Sequence, residues 1–265
     1  MARALRIGFL LFVLLMVAQG AWIARARTTE WKESLRVVIY PINGDGSAAA
    51  DAHIQGLRRD MFEPIAAYLR LQARDYKLPL QDPVEIYLAP RVASTPPAPP
   101  RQGSAPEIML WSLRLRFWAW RNDGYGGPKA HVRMFVLYFA PTENRRLAHS
   151  VGLQKGLLGV VNAFASARME GENGVVIAHE LLHTFGATDK YDAATNRPRY
   201  PDGYAEPAAD PLYPQSKAEI MAGRIPLSAE RAETPQDLEQ TLIGARTARE
   251  ISWLKERQDE GGRRN

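Results

Sequence analysis

The apolar and polar positions along the chain divide it into short runs of two different periods. "LRVVIYPI" (Leu35–Ile42) is a nearly unbroken apolar run, the pattern of a strand covered on both faces, and "NGDG" closes it. From Ala48 to Arg74 the period becomes helical, with Ile54, Leu57, Met61, Ile65 and Leu69 on one stripe. "VEIYLAP" (Val84–Pro90) reads as a second strand, and Pro96, Pro97, Pro99 and Pro100 mark an irregular surface loop. Ser104 and Glu107 form a capping pair with Pro106 in the first turn, which predicts a helix, although Leu113–Phe117 alternates as a strand would. Its tryptophans are expected in packing. "HVRMFVLYFAP" (His131–Pro141) and "GLLGVVNAFA" (Gly156–Ala165) are two more strands, and Asn173 stands where it could cap the helix that follows.

After a Pro- and Tyr-rich irregular stretch, Pro198–Pro214, comes the short turn "EIMAG". A last helix is signalled by Thr234-Pro235, Asp237 and Glu239. Leu238, Leu242, Ala245, Ala248 and Ile251 form its stripe, and Lys255 and Arg257 favour its C-terminal end. No internal repeat is present. Strands and helices in this order predict one α/β (α+β) domain built on a mixed, twisted sheet.

The N-terminus follows another rule. Ile7–Ala24 is 18 residues without a charge, bracketed by arginines. At about 1.5 Å per residue it spans roughly 27 Å, close to the hydrocarbon thickness of a bilayer. It reads as an uncleaved membrane anchor or as a signal peptide cleaved near Ala24-Arg25-Ala26, and either reading exports the body. The expected division is residues 1–27 as anchor or signal and residues 28–265 as the folded domain.

Charge and composition narrow the function. Of the net +5, four charges are Arg3, Arg6, Arg25 and Arg27, so the body is nearly neutral and lacks the clustered basic face that nucleic acid requires. At 46% apolar residues the chain can fill a substantial core. With no cysteine, disulfides are excluded and any metal site must use His, Asp, Glu or Tyr.

The candidate chemistry lies in "GVVIAHELLHTFGATDKY", Gly174–Tyr191. His179 and His183 are four apart on a helix and share a face, as two ligands of one ion must. Glu180 lies about 100° round, too far to join them but able to reach a water beside the ion. Gly186 can end the helix with positive φ and let Asp189 turn back as the third ligand. Chance weighs against this, since HExxH arises in ordinary helices and Asp189 could be a plain helix-exit turn. Glu206, 23 residues after His183, is a rival third ligand, but "YAEPAADP" disfavours the helix it would need. His53, His131 and His149 have no partner spacing and read as surface or satisfied core residues. Asp192, Asp202 and Asp210 read as solvated loop charge rather than a calcium loop.

"HELLHTFGATD" resembles the HExxHxxGxxD form of the metzincin zinc proteases, among them the snapalysin type with aspartate in last place. Glu219-Ile220-Met221-Ala222 resembles their Met-turn, placing Met221 beneath the metal. The resemblance implies a metzincin-like domain with an active-site helix and a C-terminal helix. One Zn2+ would sit on His179, His183 and Asp189, with Glu180 as general base and a peptide or protein substrate along an edge strand. Leu157–Phe164 is the candidate strand, with Leu157, Leu158, Gly159 and Val160 in contact. Gly223 stands where astacin- and serralysin-like members carry a tyrosine, so Tyr191, Tyr200 and Tyr204 are the candidates to replace it. The expectation is a zinc metallopeptidase, exported or tethered through residues 7–24. Its alternatives are a zinc hydrolase of another amide or ester, and an anchored binding module with structural zinc.

Overall fold

The computed structural model describes residues 28–100, 103–141, 150–153 and 157–255, with isolated positions 7, 8, 15, 19 and 26. Its centre is a five-stranded mixed sheet of β1 (Leu35–Asn43), β2 (Val84–Leu88), β3 (Val132–Phe139), β4 (Val151–Leu153) and β5 (Leu158–Phe164). The strand order is β2-β1-β3-β5-β4, and every pairing is parallel except that of β4 with β5. The unbroken apolar run of β1 has its cause here. Leu35, Val37 and Ile39 join the core on one face while Val38, Tyr40 and Ile42 join the core on the other.

The first face carries α1 (Ala48–Gln55), α2 (Glu63–Asp75) and α4 (Glu170–Phe185), which bury Ile54, Leu69, Leu181 and Phe185 against it. The second carries α3 (Ala105–Arg121), through Leu115, Ala119 and Trp118, the last 4.7 Å from the Phe135 ring. Ser104 and Glu107 cap α3 as predicted, with Glu107 Oε2 accepting from Ser104 N at 2.7 Å and Oγ at 2.8 Å. The two ends of the body meet: Trp31 packs on Phe185 and Trp253 and donates to the Ile251 carbonyl at 2.7 Å.

Several expectations change. The helix predicted over 48–74 is two, because Gly56 ends the first and Pro64 opens the second, with a 3-10 turn, Arg59–Phe62, between. The predicted last helix, which would follow β8 (Ala232–Glu233), breaks into three short pieces: a 3-10 turn at Leu238–Gln240, β9 (Thr241–Leu242) and α5 (Ala245–Glu250). Asp237 caps the 3-10 turn, and β9 is drawn into parallel pairing with β6 (Ala218–Glu219). Leu238, Ala248 and Ile251 still reach the core, but from different elements. A hairpin of β7 (Ile225–Pro226) with β8 completes the fold.

Asn173 is not an N-cap. Helix α4 begins at Glu170, and the Asn173 side chain instead clasps Phe164, accepting from its N at 2.9 Å and donating to its O at 2.8 Å. Leu157–Val160 is not an edge either: β4 pairs with Leu158–Val160 and is itself the outer strand. Its three residues, Val151–Leu153, are too short a run to show a period.

Among the described residues no helix is long and apolar enough to cross a membrane. Most of Ile7–Ala24, together with His149, Gly156 and Arg257, lies outside the described residues.

Candidate metal centre

The sequence at the end of α4 fixes the site. Gly186 takes φ 112°, its N–H bonds the His183 carbonyl at 3.1 Å, and Ala187 N reaches back to the Leu182 carbonyl at 3.1 Å. This left-handed exit reverses the chain. The returning segment is then held from two sides. Lys190 N donates to the Met221 carbonyl at 2.9 Å. The buried Lys190 ammonium pairs with Glu250 Oε2 at 2.7 Å, and Glu250 also accepts from Thr188 N at 2.9 Å and Thr188 Oγ1 at 3.0 Å.

Asp189 sits in this clamped segment, with Oδ1 3.3 Å from His179 Nε2 and 3.1 Å from His183 Nε2. The other ring nitrogens are committed, His179 Nδ1 to the Ile220 carbonyl at 2.9 Å and His183 Nδ1 to the Ala187 carbonyl at 2.8 Å. A carbonyl only accepts, so both Nδ1 atoms carry the hydrogen, and each ring turns its Nε2 toward Asp189. Two imidazole nitrogens and a carboxylate oxygen thus converge on one point, where a shared proton or a cation satisfies them. Around a four-coordinate ion with ligands about 2.0–2.1 Å away, neighbouring ligand atoms stand about 3.3–3.4 Å apart; the 3.3 Å separation matches and the 3.1 Å one is slightly shorter. The donor set fits a metal ion.

Glu180 completes a His/Glu/His group whose ligand-capable atoms lie within 4.8 Å of one another. It is buried, and its Oε2 makes no hydrogen bond within the described residues. Burial pushes its pKa up; the rings of His179 and His183 and the Gly152 amide oppose the shift and Asp189 adds to it. For His179 burial disfavours protonation, but Asp189, Glu180 and the Ile220 carbonyl together raise its pKa. Burial would raise Asp189, yet its contacts with both rings hold it well below the usual carboxylate range.

Met221 is buried beside this cluster, and the turn carrying it is locked by a residue that the sequence reading did not single out. Glu219, fully buried, accepts from Met221 N (2.7 Å), Ala222 N (3.1 Å), Gly244 N (3.0 Å) and Thr247 Oγ1 (2.6 Å). Gly152 was also missed. A Cβ there would lie 2.5 Å from the Glu180 carbonyl and from His183 Cβ, so only glycine lets β4 pass this close over α4. Lys190 and Glu250, 60 residues apart, carried no local signal.

The cluster opens onto a cavity of about 440 Å³ lined by Gly152, Asp189, Tyr191 and Asn196 as well as His179, Glu180 and His183. A second compartment of about 360 Å³ adjoins it, walled by Phe164, Val175, Val176, Ile220, Ala222 and Pro235. Tyr191 borders both; burial, then the charges of Asp189 and Glu180, raise its pKa. Tyr200 and Tyr204 meet edge to face at 5.4 Å, Tyr204 bonds Tyr213 at 2.7 Å, and neither lines the cleft.

The remaining candidates lie elsewhere. Glu206 bonds Gln215 and Ser216. Asp192 closes its own turn on Ala194 and Thr195. His131 is buried on Arg36, and His53 lies 4.8 Å from the Tyr138 ring. Another cavity, about 540 Å³, opens on a different side of α4 between Leu57, Tyr68 and Leu238 and holds none of the cluster.

With this geometry in hand, no family model matches the chain, and a search of curated proteins finds no significant match. The class is thus given by the site alone: a mixed α/β domain with a His/Glu/His group on one helix that could hold a metal ion.

Proposed function

We propose that the protein is a zinc-dependent peptidase of metzincin-like design. The observation that carries this reading is the convergence of His179 Nε2 and His183 Nε2 on Asp189 Oδ1 at 3.3 and 3.1 Å, with Glu180 Oε2, which has no hydrogen bond among the described residues, beside them. The donor set, two imidazoles and one carboxylate, leaves a fourth position for solvent, as a hydrolytic site requires and a structural site does not.

When bound, the ion supplies Lewis-acid activation of water and of the scissile carbonyl. His179, His183 and Asp189 would hold it. Glu180, its pKa raised by burial, takes the proton of the attacking water and passes it to the departing amine nitrogen. Tyr191, which lines the cleft, is the residue assigned to donate to the developing oxyanion, the role for which Gly223 has no side chain. An extended peptide pairs with the outer edge of β4, since β5 is already covered there. The adjoining apolar compartment takes an aliphatic or aromatic side chain next to the cleaved bond.

The test is digestion of an unfolded protein and a peptide library by the purified protein, with and without chelator. Cleavage stops with chelator and returns with zinc. Glu180→Gln keeps one zinc per chain and loses about 10²–10⁴-fold in rate. Undiminished cleavage by that variant overturns the assigned base, and a zinc-loaded protein inert on every peptide overturns the peptidase reading in favour of another amide or ester.

A further inference from the structure

Six of the large apolar side chains exposed among the described residues of the body belong to one helix, α3: Ile108, Met109, Leu110, Leu113, Phe117 and Trp120, each 46–70% exposed. The helix is apolar on both faces, because Leu115 and Ala119 on its inner side are buried against the sheet. A helix apolar all round is normally covered all round.

The arrangement of the outer face indicates what covers it. At about 100° per residue, Met109, Trp120, Leu113, Phe117 and Leu110 fall within about 100° of azimuth, a continuous strip running most of the helix. Arg116, only partly exposed and with its Nε buried, borders the strip on one side, and the exposed Arg114 and Arg121 border it on the other. The single acid of the helix, Glu107, is occupied at its N-terminus by Ser104. An aromatic and aliphatic strip between arginines is the composition of a helix lying in a membrane interface, its rings among the acyl chains and its guanidiniums at the phosphates. A second copy fits poorly: both borders are arginine, so any two-fold pairing of the strips sets guanidiniums against guanidiniums.

We propose that α3 docks the body on an anionic bilayer surface. The uncharged Ile7–Ala24 stretch, whose expected partner is also a bilayer, makes that surface the one nearest to hand. The proposal stands apart from the metal site, since α3 packs on the opposite face of the sheet from α4 and contributes nothing to the cleft.

The chain contains no cysteine, so single cysteines report single positions. The full chain is reconstituted into phosphatidylcholine vesicles with and without phosphatidylglycerol, carrying a nitroxide at Leu113→Cys, Phe117→Cys or, on the exposed side of α2, Arg74→Cys. With anionic lipid, positions 113 and 117 become severalfold more accessible to oxygen and severalfold less accessible to a water-soluble nickel chelate, while position 74 stays aqueous. Adding Arg114→Glu and Arg121→Glu reverses the change. Nickel access at 113 and 117 equal to that at 74 overturns the proposal. Loss of access to both reagents there also overturns it, in favour of a protein partner or a second copy.

Discussion

Replacing Glu250 by glutamine tests whether the segment that carries Asp189 is held by the ion pair behind it. The Lys190–Glu250 contact is 2.7 Å, with side-chain exposures of 6% and 14%, so the pair is largely shielded from water. Removing one partner of a buried pair costs about 3–5 kcal/mol. Lys190 Nζ would keep the Thr188 carbonyl at 2.6 Å and hydroxyl at 2.8 Å, and glutamine keeps one oxygen for Thr188 N. These residual bonds bring the expected loss down to about 2–3 kcal/mol. For a domain of this size that corresponds to a fall in Tm of roughly 4–12 °C. The site should feel it as well, because supports one shell away from a ligand typically govern metal affinity by about 10–100-fold. Thermal melts of the chelated protein isolate the first effect, and competition with a zinc-binding dye measures the second. Lys190→Met should lower zinc affinity similarly, and the double variant should lose less than the two singles added together. A variant that loses the stability but binds zinc as tightly as the parent refutes the reasoning, since Asp189 would then not be held by the clamp or would not be a ligand.

Chelation should lower Tm by roughly 8–16 °C when zinc is present at about 1,000 times its Kd, because ligand linkage there amounts to about 4 kcal/mol; an unchanged melt counts against any resident ion. Gly152→Ala places a methyl 2.5 Å from the Glu180 carbonyl, so β4 must shift; a loss of about 1–3 kcal/mol is expected together with most of the peptidase activity, measured by melts and peptide cleavage, and full activity would mean that β4 is not a wall of the cleft. Burial opposes ionisation of Glu250, but Lys190 and Thr188 outweigh it, and its pKa is lowered in the fold. Such a group stabilises above its unfolded pKa, about 4.3, and that contribution is lost as pH falls through the lower folded value. The Tm gap between parent and Glu250→Gln should therefore be full near neutral pH and shrink in acid; a gap independent of pH would contradict the charge-based account.

The sequence by itself determined what depends on neighbours along the chain. The double-faced burial of β1, the Ser104–Glu107 cap of α3, the common face of His179 and His183, and the left-handed exit at Gly186 follow from period, capping chemistry and glycine's freedom at positive φ. The long helix over 48–74 failed where Gly56 and Pro64 outweighed a continuing stripe. Tertiary structure decided whatever required groups far apart in the chain. It brought Asp189 to both imidazoles by clamping Lys190 with Glu250 and Met221, and it locked the Met221 turn with Glu219 against Gly244 and Thr247. It also laid β4 over the α4 helix at Gly152 and drew Thr241–Leu242 out of a predicted helix into pairing with β6. A buried carboxylate or a close backbone approach leaves no periodic trace, because its favourable energy comes from partners that only folding brings within 3 Å.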